Sequence, residues 1–68
     1  MVTVMRELVN REGLTYEVLE KQIGLSRQTI NDAMNGAPTV RAVGAFAKWL
    51  GCSVNTAMWM LTHEFNRR

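Results

Sequence analysis

Two signals alternate along this chain: a hydroxyl-bearing residue that can start a helix and a glycine that can stop one. Thr3 and Gly13 bracket the first segment, Thr15 and Gly24 the second, Ser26 and Gly36 the third, Thr39 and Gly51 the fourth. Ser53 opens a fifth. Segments this short, about a dozen residues at most, leave room only for short helices or strands. Within them the apolar residues recur at i, i+3 and i+4 and do not alternate, which selects helices. The expected fold class is therefore all-α, a compact five-helix domain joined by short turns. No strand, repeat or linker stands out.

The apolar stripes assign the core. A first helix over residues 3 to 12 presents Val4, Met5, Leu8 and Val9, and a second over about 16 to 23 presents Val18, Leu19 and Ile23. Ile30, Ala33 and Met34 form a narrow stripe on the third. Ala37-Pro38 is the one rigid break. Beyond it, the fourth helix turns Val40, Val43, Phe46, Ala47 and Leu50 inward, and the fifth turns Val54, Ala57, Met58, Leu61 and Phe65 inward. The tail Asn66-Arg67-Arg68 is expected to fray. Residues 1–68 make one domain, near the lower size limit for folding on a single core without staples.

Composition narrows the function classes. The chain has 68 residues and a net charge of +2, which permits nucleic-acid binding without arguing for it. A lone Cys52 between Leu50 and Val54 allows no internal disulfide and reads as a small buried hydrophobe in a reducing compartment. No basic-then-apolar leader begins the sequence, and no apolar run approaches a membrane span. A cytoplasmic protein without a membrane partner is expected. Cys52 and His63 alone cannot make a zinc site, and no glycine-rich phosphate loop follows a strand. His63 has no indicated nucleophile partner. Neither an enzyme, a cofactor, a metal nor a small-molecule substrate is expected.

The stretch Gly24 to Gly36, GLSRQTINDAMNG, is the informative one. Opposite its apolar stripe lie Gln28, Asn31, Asp32 and Asn35, flanked by Arg27 and Thr29. An ordinary solvated helix face more often carries Glu and Lys. Short amides and a guanidinium are what a base edge in the DNA major groove requires.

The run from Tyr16 to Gly36 resembles the helix-turn-helix of the lambda repressor and Cro family, also called the Xre family. Leu19, Ile23, Gly24, Leu25 and Ile30 fall at that motif's apolar and turn-glycine spacings. The resemblance continues through PTVRAVGAFAKWLGCSVNTAM, similar to the family's fourth and fifth helices, and so covers about residues 4 to 61. Three positions depart from the pattern. Glu20 stands where alanine is usual, and Ala33 where a larger aliphatic is usual, a pair of changes that can compensate if the Glu20 methylenes lie over Ala33. The loop Ala37-Pro38 lacks the basic residues many relatives carry there. Between Tyr16 and Gly36, Lys21 and Arg27 face Glu17, Glu20 and Asp32, so the motif itself is slightly acidic.

The resemblance implies sequence-specific binding of double-stranded DNA by a transcriptional regulator, a Cro-like repressor that occupies an operator. A bacterial cytoplasm, at the nucleoid, and a phage or prophage origin follow from it. Arg27, Gln28, Asn31 and Asp32 take the base-contacting positions. Tyr16, Ser26, Thr29, Asn35 and Arg41 take the backbone-contacting ones, with Tyr16 standing where the family often has a phosphate-binding glutamine. The expected partner is an approximately palindromic operator read by a weak homodimer. Its interface is assigned to Trp59, Met60 and Phe65, with Trp49 as an alternative patch and partial burial of either tryptophan as the plainer reading. An antitoxin with the same fold, or a protein-interaction module that retains it without DNA affinity, are the alternatives.

Overall fold

Every expected cap is used. Thr3, Thr15, Ser26, Thr39 and Ser53 each take an extended conformation and accept the backbone N–H three residues on. Each satisfies one of the donors a helix start leaves orphaned, worth about 1 kcal/mol. In the computed structural model, which describes residues 2–66, these caps open α1 (Val4–Arg11), α2 (Tyr16–Ile23), α3 (Arg27–Met34), α4 (Val40–Leu50) and α5 (Val54–Thr62). The expected fraying at Arg67 and Arg68 lies outside the described residues.

The helices close around Phe46, Leu19, Ile30, Met34 and Leu61, all fully or almost fully buried. The longest helix, α4, packs against α5, α2 and α3, while α1 lies against α5. A single β-bridge between Thr3 and Glu64 is the only extended pairing among the described residues. It ties the two ends of the chain: Val4 N–H donates to the His63 carbonyl (2.9 Å) and Phe65 N–H to the Val2 carbonyl (2.7 Å).

The stripes of α1, α2 and α3 fall inward as expected, with Val4, Leu8, Val18 and Ile23 at its half-buried margin. Those of α4 and α5 need correction. Val40 is 89 % exposed and Val54 56 % exposed. Each is the first residue after its cap, where the helix projects past its neighbours. On α4 the buried arc shifts toward Ala42, Phe46 and Trp49, so Ala42 is fully buried. On α5 the rotation exchanges the two methionines: Met60 packs against the core and Met58 is exposed. Phe65 lies beyond the end of α5, half-buried, with the Arg11 guanidinium 5.9 Å from its ring centroid.

The two tryptophans differ in burial. Trp49 meets Phe46 edge-on (6.2 Å between centroids, 78°) and donates from Nε1 to Gln22 Oε1 (2.9 Å), bridging α4 to α2. Trp59 is half-exposed and stacks on His63 one turn later (4.6 Å, 19°).

The turn between α2 and α3 rests on Gly24, which holds φ +82° and donates its N–H to the Glu20 carbonyl (3.0 Å). A Cβ there would meet open space, so the requirement is conformational and not steric. Gly24→Val should therefore cost roughly 1–2 kcal/mol or more, since a β-branched residue is the poorest occupant of the left-handed region. Thermal unfolding checks it: a melting temperature several degrees lower is expected, and an unchanged one would mean the turn does not depend on glycine.

Candidate nucleic-acid interface

The eight residues of α3 divide cleanly. Ile30, Ala33 and Met34 are buried, while Arg27, Gln28 and Asp32 are exposed and Thr29 and Asn31 half-buried. The exposed side is a convex polar ridge one helix wide, the shape that enters a major groove.

At the start of that ridge Tyr16, Arg27, Gln28 and Asn31 line one open concavity of about 480 Å³. The Tyr16 hydroxyl donates to Asn31 Oδ1 (2.6 Å), and the Arg27 guanidinium lies 4.8 Å from the Tyr16 ring centroid. Three residues assigned separately from sequence are thus one cluster, joined across α2 and α3.

A second concavity, about 540 Å³, is lined by Gly24, Leu25, Ser26, Thr29, Thr39 and Arg41. It brings the N-termini of α3 and α4 to one groove. Ser26 and Thr29 share a hydroxyl hydrogen bond there (2.8 Å). Helix N-termini, hydroxyls and an arginine make a surface suited to an anion such as a phosphate.

At the other end of α3, Asn35 Oδ1 accepts from Arg6 Nη1 on α1 (3.1 Å). Sequence reading missed Arg6, because 29 residues separate it from its partner and it lies outside the motif. It changes the electrostatics. Arg6, Arg27 and Arg41 surround a ridge whose one acidic side chain is Asp32, whereas Lys21 is occupied by Glu17 (3.6 Å). Arg6 and Arg41, both from outside the motif, offset its acidic balance.

Glu20 is half-buried and Ala33 fully buried, so the large-for-small and small-for-large positions both sit at the packed side of the motif. The end of α3 is pinned by Thr3. This fully buried residue accepts the Arg6 N–H (3.1 Å) to cap α1, and donates its hydroxyl to the Met34 carbonyl (2.7 Å).

A protein-family model described as a helix-turn-helix domain matches residues 1–57. The chain belongs to that family. No curated protein and no solved structure matches it. The match fits the wider group of Xre- and Cro-type domains, in which DNA binding is the expected activity and enzymatic activity is not typical. The helices α2 and α3, with the turn at Gly24 between them, lie within the matched residues. No helix of the described residues is long and apolar enough to cross a membrane. The described residues of the domain also hold no group of three or more His, Cys, Asp or Glu placed to bind a metal.

Because Thr3 serves both α1 and α3 of this helix-turn-helix domain, Thr3→Val should destabilise it by about 2 kcal/mol, from a lost cap and an unpaired buried carbonyl. For a domain of this size that is a melting temperature lower by roughly 10 °C. Thr3→Ser, which keeps the hydroxyl, should recover most of the loss. Equal melting temperatures for Val and wild type would show that the hydroxyl contributes nothing.

Proposed function

We propose that this domain is a sequence-specific DNA-binding transcriptional regulator, a Cro-type repressor that acts by occupying its operator in a bacterial cytoplasm. The observation that carries the reading is the exposed ridge of α3, where Arg27, Gln28, Asn31 and Asp32 stand on a helix held firmly by its opposite side. Gln28 is exposed beside the first concavity and can pair bidentately with adenine. Arg27 suits a guanine, and Asp32 can accept from a cytosine amino group. Ser26, Thr29 and Arg41, with Thr39, supply one phosphate grip at the start of the ridge, and Asn35 with Arg6 supplies another at its end.

Gln28→Ala separates base reading from general DNA affinity. On the preferred duplex it should lose about 1–3 kcal/mol, while binding to random duplex and its salt dependence stay as they were. Equal losses on both duplexes would make Gln28 a phosphate contact. Absence of any salt-dependent binding by the wild type would favour the protein-interaction module instead.

One recognition helix reads only a few base pairs, so the active form is a weak homodimer on an approximately palindromic site, its two α3 helices about 34 Å apart. Trp59 is the centre of the pairing surface. It is 52 % exposed, and Val54 and Met58 add apolar surface to the same helix. Met60 and Phe65 line a shallow groove beside α1 at the margin of that surface, whereas Trp49 is engaged within the subunit. Trp59→Ala should weaken cooperative operator binding several-fold and leave the melting temperature within a few degrees of wild type. Sedimentation of protein–DNA complexes measures the stoichiometry; one subunit per minimal operator at saturation would exclude the dimer.

A further inference from the structure

The Tyr16 hydroxyl occupies the family's usual phosphate-contacting position, yet it is directed inward, at the recognition helix. We infer that Tyr16 is a positioning residue for base recognition, which turns Asn31 into a hydrogen-bond donor toward DNA and so selects guanine over adenine at one base position. The inference rests on the DNA-reading function proposed above.

A free asparagine side chain presents a donor and an acceptor side by side, the pair that matches adenine N7 and N6. In this chain the acceptor is taken. Asn31 Oδ1 receives the Tyr16 hydroxyl at 2.6 Å, a distance typical of O–H···O and short for N–H···O. The amide orientation follows: the oxygen turns toward α2 and the NH2 group is left for the outside. Rotation of the amide would replace this bond with an N–H···O contact from Nδ2 to the phenol oxygen, for which 2.6 Å is too short.

The ring that carries the hydroxyl is itself held. The Arg27 guanidinium covers it at 4.8 Å, one helical turn before Asn31 on the same face of α3. Stacking restrains the guanidinium, and its N–H groups are donors only. Arg27 and the Asn31 NH2 therefore offer donors alone from neighbouring positions in one concavity. Among base edges in the major groove, guanine presents two adjacent acceptors, N7 and O6, and no donor. Adenine would set its N6 amino group against the Asn31 NH2 group, a donor facing a donor.

The reading has two tests with separate failures. In the free protein, Tyr16→Phe should shift the Asn31 side-chain NH2 resonances in nitrogen–proton correlation spectra. Unshifted resonances would show that the hydrogen bond is absent and overturn the inference, whatever the protein does with DNA. The second test selects preferred duplexes from a random pool, with Asn31→Ala identifying the position that Asn31 reads. Guanine should dominate there for the wild type. Tyr16→Phe frees the amide oxygen and should move the ratio toward adenine by roughly tenfold, about the discrimination of one bidentate pair.

A uniform loss on all duplexes, with the salt slope unchanged because the hydroxyl is neutral, would make Tyr16 a phosphate ligand and overturn the assignment. So would unchanged base frequencies. Asn31→Asp provides a variant that keeps Tyr16 in place: it retains the acceptor for the hydroxyl and replaces the outward donor with an acceptor. It should lose guanine and gain cytosine, and retained guanine preference would contradict the inference. A wild type that enriches no site, while the Asn31 resonances still respond to Tyr16→Phe, would refute the DNA-reading function and the selectivity with it, leaving only a structural contact.

Discussion

The helix α3, on which the proposed DNA contacts stand, is too short to exist by itself. Eight residues give about two turns, below the length at which isolated helices persist in water, so α3 depends on being docked. Ile30, Ala33 and Met34 provide the docking, and burial of Ile30 and Met34 stabilises by about 1.5–3 kcal/mol each. Ser26 fixes one end through its cap and Thr3 fixes the other through the Met34 carbonyl. The remaining helices serve that seat. α4 and α5 both pack against α3, and α1 brings Thr3 to its end. A rigid seat matters because a base-edge contact is sensitive to small displacements of the side chain that makes it.

Charge is distributed with the same economy. The motif read as a string is slightly acidic, which speaks against strong non-specific affinity. Folding places Arg6 and Arg41 at opposite ends of the ridge, one from α1 and one from α4. Three arginines are few by the standard of proteins that bind DNA through phosphates alone, and each phosphate contact adds only modestly to affinity. In the proposed function, base contacts and subunit pairing then carry a larger share of the discrimination.

Local rules were the legible part of the sequence. Caps at Thr3, Thr15, Ser26, Thr39 and Ser53 and the turn at Gly24 depend on neighbours three or four residues away, and each appears in the structure where the string placed it. Stripe geometry was legible in the middle of helices but not at their first residues. Val40 and Val54 satisfy the spacing yet have no neighbour to cover them, and periodicity carries no information on how far a partner helix extends. The rotation of α5 that exchanges Met58 and Met60 depends on where α1 and α4 sit, which an isolated stripe cannot encode. The site divides in the same way. Its residues were visible as a polar face, whereas Tyr16 to Asn31, Arg6 to Asn35 and Thr3 to Met34 join positions 15, 29 and 31 residues apart. Nothing in the local string pairs them.

The central claim is that α3 is the surface that meets DNA. Backbone amide chemical shifts, followed as a duplex carrying the preferred site is added, test it most directly. The account predicts the largest changes from Ser26 to Asn35, with smaller ones at Thr39 to Arg41 and at Arg6. Changes concentrated on the groove of Val4, Leu8, Met60 and Phe65, with α3 undisturbed, would contradict it.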